Sequence, residues 1–293
     1  MMSMDQWITV NETAIRLSFF FGIFGLMAAW EVLKPRRVLT VSKLTRWANN
    51  LGLVFLNSIV LRLLFPAAAV GVAAFASEQG WGLLNYYSVP FVFAVLITVI
   101  AMDFIIYLQH VLVHAVPALW RLHRVHHADR DYDVTTGARF HPIEIVLSML
   151  IKFSTIVVLG APVIAVIIFE IVLNAMAMFN HANIKLPNQI DIWLRRIVVT
   201  PDMHRVHHSV EDDEANSNFG FNLSIWDRLF GTYREQARAG QEAMIFGIHK
   251  YTKNKDIVWI SGMLTLPFKG KISSYAINRR DWDGEDEKQN PNK

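Results

Sequence analysis

Apolar residues along this chain run in long blocks, and the breaks between them fall at charged or turn-forming clusters. The stretch 13–33 (TAIRLSFFFGIFGLMAAWEVL) is the first block, long enough to cross a bilayer as a helix. Asp5 and Glu12 precede it and no basic segment does, so it reads as an anchor rather than a cleavable signal. A second block runs from about Leu51 to Ala76, with Asn57, Arg62 and Pro66 inside it, and a third from about Val89 to Val113. The fourth, Ile143–Asn180, is too long for one span and is interrupted by Gly160-Ala161-Pro162. It predicts a hairpin of two helices with ~17–19 residues in each leg, at the short end for a crossing. Lys152 and Glu170 lie within the legs, which leaves a re-entrant pair as the alternative. Arg62 and Lys152 read as snorkelling or paired. Beyond 180 the pattern turns mixed, charged and rich in turns (SVEDDEANSN, 209–218), as expected of a helical cap beneath the membrane helices.

Charge placement orients these blocks. The loop 34–46 (KPRRVLTVSKLTR) has five basic residues and no acid, whereas 77–88 (SEQGWGLLNYYS) has no basic residue. The positive-inside rule puts 34–46, 114–142 and everything after 180 in the cytoplasm, and the N-terminus outside. Composition agrees with a membrane protein: 53% of the 293 residues are apolar and only 18% charged, against about 25% charged in ordinary domains. A net charge of +3 gives no argument for a nucleic-acid partner. The absence of cysteine excludes a disulfide scaffold, thiolate metal sites and iron–sulfur clusters. What stands out is eleven histidines, all assigned by this topology to one face of the membrane.

Nine of the eleven are patterned. His110 and His114 are four apart, His123, His126 and His127 form one HxxHH string, His204, His207 and His208 form another, and His181 stands alone between Asn180 and Asn183. On a helix, Asp103, Tyr107, His110 and His114 fall within an arc of roughly 60°, so the third span carries a polar stripe ending in two imidazoles. Residues i, i+3 and i+4 also share a face, so each HxxHH offers three nitrogens inward. Nine imidazoles exceed a single tetrahedral site and suit two metals with four or five ligands each. Imidazole accepts zinc, copper, iron or nickel, and two such sites at a membrane surface point to oxygen chemistry and hence to iron. HExxH, GxSxG, a P-loop and GxGxxG are all missing. His249 reads as an ordinary surface histidine, and His141 as support for a ligand rather than a ligand. Asp103 is balanced between orienting a ligand and pairing inside the bundle. The two HRVHH strings, at 123–127 and 204–208, have unlike flanks and read as one chemical need met twice.

These boxes resemble the fatty acid hydroxylase superfamily, which includes sterol desaturases, sphingolipid and fatty acid hydroxylases and alkylglycerol monooxygenases. The resemblance is strongest over about 95–235. It takes in His141-Pro142, His181-Ala182-Asn183, Thr200-Pro201-Asp202-Met203-His204, Asn218–Gly220 and the closing Trp226-Asp227-Arg228-Leu229-Phe230-Gly231-Thr232-Tyr233. It implies an integral membrane, non-haem di-iron monooxygenase whose ligands map onto His110, His114, His123, His126, His127, His204, His207 and His208, with His181 as the intermediate histidine. Lys185 stands four after His181, where fatty acid 2-hydroxylases have a paired histidine box, and no cytochrome b5-like segment is fused here.

The expectation is therefore an all-α integral membrane protein with four to five spans and a mainly helical cytoplasmic cap. Its parts would be N-terminal membrane helices (1–94), a catalytic domain (95–235) and a C-terminal extension (236–293) with a disordered tail from about 279. Two irons, replaceable by zinc in purified protein, would use O2 and electrons from a separate reductase, ferredoxin or cytochrome to hydroxylate a membrane lipid. Asp103, Asn183, Asp202 and Trp226 are the candidates for supporting the ligands from behind. Desaturation by the same centre is the first alternative, and a metal transporter the more distant one.

Overall fold

In the computed structural model, which describes residues 4–270, five helical segments are long and apolar enough to cross a membrane. The chain is a multi-pass membrane protein, all-helical among its described residues. After a short helix at Met4–Val10, α1 spans Glu12–Leu33. Next come α2 (Lys43–Leu64) and α3 (Ala68–Glu78). The apolar block at 51–76 is thus two helices. Pro66 has no N–H to continue the ladder, and Phe65 before it leaves the helical region at φ −131°. Helix α2 also begins eight residues ahead of the apolar run, because Ser42 caps it and its first turns carry polar side chains that bind the cap. Arg62 is exposed.

Helix α4 (Phe91–Ala115) carries the polar stripe and is followed at once by α5 (Pro117–His127), with Pro117 at the first helical position. The predicted hairpin is present as α6 (Pro142–Leu159) and α7 (Val163–Asn180). Gly160 ends α6 in the left-handed region, where a Cβ would lie 2.3 Å from Trp81 O, so the hairpin tip closes tightly on the segment after α3. The charges inside the legs pair with one another. Lys152 Nζ meets Glu170 Oε1 at 2.9 Å, and Arg16 of α1 meets Glu170 Oε2 at 3.0 Å.

At the opposite end, short helices and loops form the cap. Glu31 in the last turn of α1 accepts the N–H groups of Val134 and Asn183, each at 2.7 Å. Buried Arg46 of α2 holds Asp129 through Nε (3.0 Å) and Nη2 (2.6 Å), and it also binds Asp133. Asp131 takes the backbone of Thr40 and Val41 at 2.8 Å each. The basic loop 34–46 and the histidine strings therefore share one end of the bundle. Residues 251–266 pack on Leu53, Val125 and Ala128 in a common core, so the extension is continuous with the cap as far as it is described. The tail proposed from about 279 lies outside the described residues.

Candidate metal centre

The α4 stripe is buried at all four positions, Asp103, Tyr107, His110 and His114. Helix α5 ends in His123, His126 and His127. His181 is the residue that ends α7, and Pro201–His207, helix α9 after α8 (Asn188–Leu194), presents His204 and His207 with His208 at its end. The nine imidazoles fall into two groups: His110, His114, His123, His127 and His207, and His126, His181, His204 and His208. Within each group one ring nitrogen per residue lies within 4.8 Å of all the others. The groups abut, with His127 stacked on His208 at 4.6 Å between ring centroids and His204 on His207 at 5.1 Å.

Each HRVHH string serves both groups, and in reciprocal fashion. His123 and His127 join the five-imidazole group while His126 joins the other; His204 and His208 join the four-imidazole group while His207 crosses back. Helical geometry dictates this split. Residues i and i+4 differ by about 40° in one direction and i+3 by about 60° in the other, so the shared face points at the gap between the groups. The intervening Arg and Val face away. Val125 and Val206 are fully buried in the cap; Arg124 binds Leu266 O and Lys269 O, and Arg205 binds Ala182 O and Ile184 O.

Four rings are anchored through Nδ1. His110 donates to Phe219 O at 2.8 Å, His207 to Ser217 O at 2.8 Å, His123 to Glu144 Oε1 at 2.6 Å and His181 to Ala177 O at 2.8 Å, with Asn180 Oδ1 at 2.9 Å. A carbonyl can only accept, so Nδ1 carries the proton and Nε2 keeps its lone pair. The Nε2 atoms of His110, His123, His207 and His208 are buried without a hydrogen-bond partner among the described residues. Others face one another: His114 and His127 at 3.1 Å, His126 and His181 at 3.2 Å, His181 and His204 at 3.1 Å. Nitrogens bound ~2.1 Å from one ion stand roughly 3.0 Å apart on an octahedron and about 3.4 Å on a tetrahedron. Burial pushes His126, His127, His204 and His208 well below the usual histidine range, and His181 and His207 to about 3. All six are neutral near pH 7, which is the form that binds metal. The donor set and its orphaned lone pairs fit a metal centre.

The residues expected to support these rings act at one remove. Asp103 accepts from Trp226 Nε1 at 2.8 Å and from the N–H groups of Asn222 and Leu223 at 3.3 Å each. Asn183 binds both backbone groups of Arg37, and Asp202 pairs with Arg205 and Arg36. These bonds reach backbone groups and other side chains, not the imidazoles. Direct partners include Glu144, Asn180 and the carbonyls of Ala177, Ser217 and Phe219. Glu144 was within reach of sequence reasoning, being one turn into the helix opened by His141-Pro142. His141 itself caps that helix by accepting from Ile143 N at 3.2 Å. His249 is exposed and apart. Asp227 completes the support: its carboxylate takes Phe219 N and Gly220 N at 2.8 Å each and Thr232 Oγ1 at 2.7 Å, and burial raises it to about 6. Small size matters at Gly137, where a Cβ would meet Ala177 O at 2.5 Å and His181 Nδ1 at 2.9 Å.

Comparison with known proteins places this geometry. Residues 95–232 match the fatty acid hydroxylase family. An ornithine lipid hydroxylase of Rhizobium tropici is 32% identical over 182 residues, which is 59% of this chain and 51% of the relative. An alkylglycerol monooxygenase of Xenopus tropicalis is 29% identical over 201 residues (68% and 43%), and that of Homo sapiens 28% over 149 residues (51% and 32%). The matched regions thus span about half or less of these curated relatives. No solved structure matches the chain.

Proposed function

Because residues 95–232 match the fatty acid hydroxylase family, we propose that this chain is a membrane-bound non-haem di-iron monooxygenase that hydroxylates a C–H bond of a lipid. The observation that carries the reading is the pair of abutting, all-imidazole groups. His110, His114, His123, His127 and His207 would hold one iron, and His126, His181, His204 and His208 the other. Bound there, iron would supply the redox chemistry that activates O2. The chain's own contribution is positional. Anchoring through Nδ1 aims the Nε2 atoms of His110, His123, His181 and His207 inward, burial keeps His126, His127, His181, His204, His207 and His208 neutral, and the packed cap excludes water. Zinc would fit the same nitrogens, so metal identity belongs in the test.

The relatives named for ornithine lipid and alkylglycerol support a substrate with a polar head and an alkyl chain, entering sideways from the bilayer. Electrons would come from a separate carrier protein. The basic loop 34–46 shares the histidine end of the bundle, which supports a cytoplasmic centre and an N-terminus outside. Grouping of all nine imidazoles at one end, rather than along a mid-membrane path, favours an enzyme over a transporter.

The test is expression of the wild type and His126→Ala in iron-replete cells, with metal analysis and lipid mass spectrometry. Two irons per chain and one added oxygen atom on a lipid, both lost in the variant, are expected. Loss of two hydrogens instead would make the enzyme a desaturase. Metal and turnover unaffected by His126→Ala would sink the assignment.

A further inference from the structure

Two segments of the cap expose apolar side chains where a water-facing surface would carry polar ones. In and just after α8, Ile192, Trp193 and Ile197 are 49%, 65% and 67% exposed. In and just after Ile225–Leu229, helix α10, Ile225, Leu229 and Phe230 are 51%, 67% and 52% exposed. The segments form one unit. Val198 and Leu223 make an antiparallel bridge, Ser224 N donates to Ile197 O at 3.0 Å, and Ser224 Oγ and Arg228 both donate to Arg195 O. Their inward positions are polar and paired: Asp191 pairs with Arg195, and Asp227 holds the 219–220 turn. Polar inside and apolar outside is the reverse of a helix built to face water.

Contacts with α4 fix the depth of this face. Trp226 packs on Phe104 at 4.9 Å between ring centroids, and Phe230 packs on Tyr107 at 5.6 Å and on Phe104 at 5.8 Å. Phe104 lies about 16 Å from the Ala115 end of α4. The 25 residues of α4 measure ~37 Å against a hydrocarbon core of about 30 Å. Even with the whole excess projecting at the histidine end, Phe104 sits about 9 Å inside the hydrocarbon of an upright helix, and tilt only deepens it. The face also continues the lipid-facing wall of α4, since exposed Ile97 and Ile100 precede Phe104 by seven and four residues on the same side.

We infer that 188–198 and 222–230 form a collar immersed in the membrane leaflet at the histidine end, its occupant being phospholipid. Exposed Trp193 is an aromatic of the kind that favours the membrane interface. Arg196 and Arg228 are exposed at the rim, stacked on Trp193 (4.1 Å) and Tyr233 (3.8 Å), and available to lipid phosphate. The inference rests on α4 as a spanning helix and not on the oxygen chemistry. It has a consequence for the centre: Asp227 of α10 holds the turn whose Phe219 carbonyl fixes His110, so the collar suspends the five-imidazole group at the level of the leaflet.

The chain contains no cysteine, so single spin labels can be attached directly at Ile197→Cys and Leu229→Cys, with Lys253→Cys as an exposed control. The protein is reconstituted in phosphatidylcholine vesicles containing some phosphatidylglycerol. Power saturation then compares collisions with O2, which partitions into lipid, and with a water-soluble nickel chelate. The collar predicts several-fold greater access to O2 than to nickel at both positions, and the reverse at 253. Equal nickel access at all three would place the face in water and overturn the inference. Exclusion of both reagents, in vesicles and in detergent alike, would overturn it in favour of a protein partner or a second copy. None of these readouts depends on metal loading, so failure here leaves the hydroxylase reading standing.

Discussion

At the residue scale, the protonation of each anchored imidazole is set by what its Nδ1 touches. Glu144 is a charged partner in direct contact, and it fixes His123 as the Nδ1–H tautomer. In Glu144→Gln the amide can turn its NH2 toward the ring and drive the proton onto Nε2, removing a ligand lone pair. Affinity for the metal is expected to fall roughly 10- to 100-fold, as read by titration against a competing chelator; an unchanged affinity would reduce Glu144 to packing. The depressed basicity of the rings makes a second claim. His181 and His207, at about 3, and the four other cap histidines held well below the usual range stay neutral in the folded protein. In the unfolded chain all of them take up protons near 6.5. Below that pH the unfolded state binds more protons, so stability is full above about pH 7 and is lost as pH falls toward about 3, by up to ~1.4 kcal/mol per unit for each ring. Thermal unfolding of the metal-free protein in detergent should show a clearly lower midpoint at pH 5.5 than at 7.5. A flat midpoint would mean that the rings are open to protons when folded.

At the element scale, the reciprocal use of the HRVHH strings makes the two groups unequal in a testable way. Removing His208 leaves the four-imidazole group with three rings, whereas removing His110 leaves the other group with four. Metal content per chain should therefore fall further in His208→Ala than in His110→Ala. Equal losses would show that the groups fill as one unit. Spacing had brought eight of the nine histidines to light, because residues three and four apart share one helix face whatever the tertiary fold, and His181 stood out by its flanking Asn180 and Asn183. Their division into five and four was hidden, since it depends on how α5 and α9 cross. The same limit explains α2. Its apolar run marked a span, but Arg46 fell in the loop 34–46, and the partners that bury it and Asn50 in the helix, Asp129, Asp133 and Thr135, are distant in sequence. Support for the ligands was least legible. Phe219 O and Ser217 O are backbone atoms, and no side-chain pattern announces a carbonyl. Asp103 was visible as a polar residue in a span, yet its partners lie about 120 residues away in sequence.

For the whole molecule, sidedness is where sequence and structure combine. Charge counting assigns 34–46 to the cytoplasm and 77–88 to the far side, and the fold ties these segments to opposite ends of one bundle. Thr40 and Val41 are bound to Asp131, beside the histidine strings. The Trp81–Gly82 segment closes on the tip of the α6–α7 hairpin at Gly160. The centre therefore cannot lie opposite the basic loop without unfolding the Arg46–Asp129 pair. Single cysteines at Val38 (91% exposed) and Tyr86 (79% exposed) report the two ends without disturbing the site. In intact cells a membrane-impermeant maleimide should modify Tyr86→Cys, and reach Val38→Cys only after permeabilisation. The opposite pattern would invert the topology. Because the fold makes the centre travel with the loop, that outcome would also move the nine histidines to the outer face.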